Sequence, residues 1–217
     1  MITDEVFLEI LDTIKKQSTC SYYKTGALIV KDNRIVSMGY NGTPPGFPQC
    51  NELQEVLEWL VQNPEKALSF INPISDLQLG KLLENKILKK FPLFSKYSEA
   101  RIRPIFSRLI EIIPIILKKL EKDERIDLYD FNFVHSRYEI HAEQNAIAYS
   151  LRAGTNIEGA TIYSALLPCM ECAKLIVASG IKRVVYTEEY VDKRFNETSR
   201  DFLNINGVKV DKIQYKF

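Results

Sequence analysis

Apolar residues recur at helical spacing at Val6, Phe7, Ile10, Leu11 and Ile14, so residues 4–17 are expected to form an amphipathic helix. The pattern then changes period. Gly26-Ala27-Leu28-Ile29-Val30 reads as a buried strand, Lys31-Asp32-Asn33-Arg34 as a turn, and Ile35 to Tyr40 as the returning strand of a hairpin. Asn41-Gly42-Thr43-Pro44-Pro45-Gly46 breaks regular structure. From His141 the chain alternates. A helix is expected to about Ala153 with Gly154 as its stop, then a strand at 160–164, a helix at 169–179 and a strand at 183–186. A last helix near 196–204 and a last strand at 208–210 follow. Such alternation implies an α/β layered domain with part of its sheet parallel.

The stretch between Cys50 and His135 has a different pattern. Leu53, Val56, Leu57, Leu60 and Val61 fit one helix face. Asn63-Pro64 suits a cap followed by a first helical position, and Ser75-Asp76-Leu77-Gln78 suits a capping box. A long apolar helix, or a pair, is expected from about Arg103 to Leu120, kinked or broken at Pro114. This reads as a helical insertion that would cover a site, form a subunit interface, or add packing.

Composition narrows the classes. The 217 residues suffice for one domain with a core and an insertion, and the formal net charge is +1 with acids and bases interleaved. No broad electropositive surface is implied, which weighs against a polynucleotide substrate. The acidic start, Met1 to Glu5, lacks a leader pattern. The apolar run from Ile102 to Leu117 is interrupted by Arg103, Pro104, Arg108, Glu111 and Pro114, so no membrane span is expected and the location is read as cytoplasmic. With four cysteines and two histidines, metal binding or catalysis is a better expectation than disulfides.

The candidate chemistry lies in His141-Ala142-Glu143 and Pro168-Cys169-Met170-Glu171-Cys172. One imidazole and two thiolates supply three zinc ligands and leave a fourth position open. Cys169 and Cys172 share a face of a first helical turn, and Pro168 suits the start of that helix. Two helix N-termini would then converge on one metal, where their dipoles stabilise thiolates. Glu143, two residues after the imidazole, is placed to move protons for a zinc-activated water. The order H-x-E…P-C-x-x-C matches the signature of zinc deaminases acting on nucleobases. A structural zinc knot is the alternative, but it would usually take a fourth protein ligand and has no need of Glu143.

Gly39-Tyr40-Asn41-Gly42-Thr43-Pro44-Pro45-Gly46, His141 to Ile147, Leu167 to Lys174 and Ala178 to Tyr186 resemble the deoxycytidylate (dCMP) deaminase family. The resemblance covers about Asp4 to Asn51 and Tyr138 to the end, and not most of the insertion. It implies a three-layer α/β/α sandwich of the cytidine-deaminase-like type, with a mixed central sheet of about five strands. Residues 1–217 would be a single deaminase domain with a helical insertion at about 52–133. It also implies zinc-dependent conversion of dCMP to dUMP and ammonia for thymidylate synthesis. Activation by dCTP, inhibition by dTTP, Mg²⁺ with the effector, and a homo-oligomer, commonly a hexamer, are further implications. Asn41 would lie by the substrate sugar, Ala142 in the substrate pocket and Tyr190 near the phosphate. Where the family usually has valine before the Gly-Ala of its first strand, this chain has Thr25.

Some relatives carry a second, structural zinc, and Cys20, Cys50, His135 and Glu139 fall at or near the positions of its ligands. Two thiolates, an imidazole and a carboxylate make an acceptable tetrahedral set, which would fasten the two ends of the insertion. The competing substrates are dCTP, free deoxycytidine and a nucleic acid. Editing of a strand would call for an electropositive groove or a stacking platform, and Lys89-Lys90 and Lys118-Lys119 read better as solvated helix faces. A non-catalytic regulator is the remaining class, disfavoured by Glu143. No G-x-x-x-x-G-K-[ST] loop is present.

Overall fold

A computed structural model of the chain describes residues 2–63, 88–122, 124, 133–191 and 198–215. The chain divides into two compact units, one of residues 1–19, 23–42 and 140–217, the other of 20–22 and 43–139. Among the described residues no helix is long and apolar enough to cross a membrane.

The first unit is built on a five-stranded sheet of order β2-β1-β3-β4-β5, with β1 Gly26–Lys31, β2 Arg34–Tyr40, β3 Thr161–Leu166, β4 Arg183–Glu188 and β5 Lys209–Lys212. β1 runs antiparallel to β2 and β3, whereas β3, β4 and β5 are parallel, so the sheet is mixed. The β1–β2 hairpin closes through Asp32 and Asn33, both at positive φ (50° and 61°), which matches the right-handed twist of the strands it joins. Alternation along the strands splits the core in two. Ala27, Ile29, Ile162 and Val184 pack with helices α5 (Ala142–Arg152), α6 (Met170–Ala178) and α7 (Ser199–Ile205). Leu28, Val30, Tyr163 and Val185 pack with α1 (Asp4–Lys15). The result is the expected three-layer sandwich.

Two details of the pattern differ from expectation. In α1 the buried positions are Phe7, Leu8 and Leu11, while Val6 is exposed. The apolar stripe is therefore rotated by part of a turn from the one read off the chain, because Leu8 rather than Val6 faces the strands. The last helix and strand begin a little later than predicted, at Ser199 and Lys209.

The second unit contains α2 (Cys50–Gln62), a helical turn at Leu88–Lys90, a 3₁₀ turn at Pro92–Lys96, α3 (Glu99–Glu121) and α4 (Phe133–Tyr138). The signals read at Asn63-Pro64 and Ser75–Gln78 fall wholly or partly outside the described residues. α3 is one helix that contains both Pro104 and Pro114, the first of the two alternatives expected, a single helix or a pair. Each proline removes a backbone hydrogen bond at a cost of about 3 kcal/mol. Burial of Ile102, Ile105, Phe106, Leu109, Ile112, Ile113 and Ile116 along a single stripe offsets that cost. Phe94 packs edge-on to Phe106 with ring centroids 5.3 Å apart. Glu52 of α2 accepts from Lys96 and from the Tyr97 hydroxyl. Burial works against the charge of Glu52, but these two donors outweigh it and hold its carboxyl below its usual range.

Candidate metal centre

The site lies where two helices start at the end of the sheet. β3 ends at Leu166 and Pro168 turns the chain. Cys169 is the N-cap of α6, so Met170 and not Pro168 is the first helical residue. Cys172 follows within the first turn. His141 is the N-cap of α5, and its backbone N–H donates to Gln144 Oε1 at 3.1 Å. Two helix N-termini therefore bear on the same point, as the sequence suggested. Gly39 makes this approach possible, because a β-carbon there would lie 2.4 Å from the Ala142 carbonyl oxygen and 2.5 Å from the Ala146 nitrogen.

The donor atoms of His141, Cys169 and Cys172 all lie within 4.8 Å of one another. His141 Nδ1 is 3.4 Å from each sulfur. Ligand bonds of about 2.3 Å to sulfur and about 2.0–2.1 Å to nitrogen in a tetrahedral arrangement place such atoms about 3.5 Å apart, so the three residues fit zinc. The hydrogen bond from Cys172 holds the Cys169 thiol down at about 4, against burial and with help from His141. Cys172 is pushed well up by that same donation and by its burial. A metal held by both sulfurs would displace their protons.

Glu143 is the second residue of α5 and is only 4% exposed. Burial pushes its carboxyl up, while the hydrogen bond from Ser164 pulls the other way. Ser164 Oγ donates to Glu143 Oε1 at 2.6 Å, and Glu143 Oε2 is 3.5 Å from Cys172 Sγ. A buried carboxyl whose charged form is disfavoured by burial, beside three metal donors, suits proton transfer. Ser164 was not anticipated from the sequence. The available signal was a small polar residue at an inward-facing position of a strand, between Tyr163 and Ala165.

Asn41 is buried and its amide is engaged by the protein. Oδ1 accepts from Ser18 Oγ at 2.6 Å and from the Thr25 N–H at 3.0 Å, and Nδ2 donates to the Tyr23 carbonyl at 2.7 Å. Ser18 was likewise not anticipated. Ala142 is fully buried at the start of α5. Tyr190 follows β4, half-buried, edge-on to Tyr23 with centroids 6.3 Å apart.

In the second unit the donor atoms of Cys20, His135 and Glu139 lie within 4.8 Å of one another. Cys20 Sγ is 3.4 Å from His135 Nδ1, and His135 also contacts Glu139. Burial opposes a charge on His135, yet Cys20 and Glu139 outweigh it and hold the imidazole up at about 10. Cys50 is hydrogen-bonded to Cys20, which together with burial pushes its thiol up, but it stands outside that three-residue set. None of the four cysteines is in a disulfide.

The family described as "Cytidine and deoxycytidylate deaminase zinc-binding region" matches residues 1–188. The deoxycytidylate deaminase of Enterobacteria phage T4 is 33% identical over 209 residues, covering 96% of this chain and 89% of that protein. The human deoxycytidylate deaminase is 27% identical over 210 residues, covering 96% of this chain and 78% of that protein. Among solved structures, the dCMP deaminase of cyanophage S-TIM5 in complex with dCMP and dUMP aligns with a TM-score of 0.52 at 21% identity. That alignment covers 98% of this chain and 100% of the other.

Proposed function

Since this chain belongs to the cytidine and deoxycytidylate deaminase family, we propose that it hydrolyses dCMP to dUMP and ammonia. The observation that carries this reading is the cluster of His141, Cys169 and Cys172 beside the buried Glu143. Zinc, when bound, supplies the Lewis acidity that makes hydroxide available near neutral pH. Glu143 takes the proton released from water and delivers it to the ring nitrogen next to the carbon that bears the amine; it then takes a second proton from the hydroxyl added to that carbon and gives it to the amine, which leaves as ammonia. Ser164 holds Glu143 Oε1, leaving Oε2 on the side of the metal donors. Asn41, Ala142 and Tyr190 are assigned to the nucleotide pocket, by resemblance to the family.

The deciding experiment is ammonia release by the zinc-loaded protein against dCMP, dCTP, deoxycytidine and a cytosine-containing single strand. Turnover of dCMP alone is expected. Turnover of the strand or of dCTP in its place would reject the substrate while keeping the chemistry.

The proposal extends to a second, structural zinc on Cys20, His135 and Glu139, with Cys50 as fourth ligand. The support is the chemistry and proximity of the first three donors. Cys20→Ser is expected to lower the zinc-to-protein ratio by one and to lower Tm; an unchanged ratio would remove this site. By family resemblance the reading also takes in a cytoplasmic supply of dUMP for thymidylate synthesis, dCTP activation and dTTP inhibition with Mg²⁺, and a homo-oligomer, commonly a hexamer. Assays with and without each nucleotide, and light scattering for mass, test these points.

A further inference from the structure

We infer that the Thr25 hydroxyl is a substrate contact that hydrogen-bonds the nucleotide beside its reacting ring edge. The inference rests on the dCMP reading above. Thr25 is 9% exposed, and its Oγ1 has no hydrogen-bond partner among the described residues. The backbone on either side of that hydroxyl is fixed. The Thr25 N–H donates to Asn41 Oδ1 at 3.0 Å, and the Thr25 carbonyl accepts from the Asn41 N–H at 3.3 Å.

Two bearings place the hydroxyl. Along β1, Ala27 and Ile29 face the layer that holds Ala142 and Ala146, and Thr25 continues that alternation. Ala27 lies opposite Ser164, the residue that holds Glu143. Thr25 is then the diagonal neighbour of Ser164, at about 7 Å on a regular ladder, which leaves room for a ligand atom between them. Along β2, Ser37 Oγ bonds the Ala146 carbonyl and Gly39 abuts the Ala142 carbonyl. Two residues further on, Asn41 and its partner Thr25 continue in the same direction, past the Ala142 end of α5. The Gly42–Ile140 bridge confirms that this part of the chain runs past the helix start.

A buried hydroxyl left unpaired is costly, and a nucleotide group that pairs with it recovers that cost on binding. Valine keeps the shape of threonine and removes the hydroxyl. Two opposite effects follow for Thr25→Val. The nucleotide-free protein should be no less stable, with a Tm higher by about 1–3 °C. Substrate binding should weaken, with KM for dCMP raised about three- to tenfold and kcat held within about twofold. The rise in Tm on adding dUMP should shrink in step. Thr25→Ser restores the hydroxyl and should bring KM back towards that of the unaltered protein.

The experiment is steady-state kinetics on dCMP, with thermal melts with and without dUMP, for the zinc-loaded unaltered protein and both variants. An unchanged KM in Thr25→Val would overturn the contact. So would a lower Tm of the nucleotide-free variant, because it would show a hydroxyl already satisfied within the fold. If the unaltered protein does not turn over dCMP, the activity reading fails and the contact with it. If it does and the valine variant matches it, the contact alone fails.

Discussion

Glu143 sits where a carboxylate is least at ease, fully enclosed among β3, α5 and α6. Burying such an acid is costly unless it is hydrogen-bonded, and here Ser164 holds it beside the candidate metal donors. Replacing it with glutamine keeps shape and hydrogen bonding but removes the proton carrier. Glu143→Gln is expected to bind zinc as before and to lose about 10²–10⁴-fold in kcat; metal analysis and ammonia release check the two halves. The clustering of His141, Cys169, Cys172 and Glu143 was legible because His, Cys and Glu at these spacings have few other uses. Ser164 and Ser18 were not, since a serine in or near a strand looks the same whether it faces a carboxylate, an amide or water. Their roles depend on which distant residue the fold brings opposite.

At the scale of elements, the centre depends on how closely β2 and α5 approach. Gly39→Ala would press a methyl group into backbone that belongs to α5, and backbone cannot yield as a side chain can. A loss of about 3 kcal/mol is expected, together with weaker zinc retention, measured by denaturant unfolding and by competition with a chelator. In α3 the stripe of isoleucines carries the helix through its two prolines. Ile105→Ala, at a fully buried position, should cost about 2–5 kcal/mol in the same unfolding measurement. The strands and the two metal-bearing helices were legible because their period and their stop signals agree. The continuity of α3 was not, because proline reports a local penalty while the compensating burial is spread along the helix from Ile102 to Ile116, about four turns. The rotated face of α1 has a similar origin: Val6 and Leu8 satisfy the same apolar pattern, and only the strands beneath select between them.

Across the whole molecule, Asp4 links the α1 layer to the sheet. It receives two hydrogen bonds from Arg183 of β4 at 2.8 and 2.9 Å and one from the Tyr163 hydroxyl of β3 at 2.6 Å, while Arg183 also pairs with Asp211 of β5. The Arg183 guanidinium holds the Asp4 carboxyl below its usual value against partial burial. A carboxyl depressed on folding contributes stability that is full above its unfolded pKa, about 4, and is lost as pH falls through its folded value. Asp4→Asn should cost about 1 kcal/mol at neutral pH, and its Tm should fall less than that of the unaltered protein between about pH 5 and about pH 3. The alternation of helix and strand made the layered sandwich legible, but strand order was not, since neighbours in the sheet are chosen by long-range register. One more consequence follows from the reciprocal hydrogen bonds between Gly42 and Ile140, at 3.2 and 2.9 Å. They clasp the chain where it leaves the sheet-bearing unit and where it returns, so the excursion between them is a handle on a closed ring. Because each doubling of such a loop costs only about 0.6 kcal/mol, its length is nearly free to drift. A chain with residues 43–139 trimmed to a short turn is expected to close the same clasp, leaving only residues 20–22 of the second unit behind.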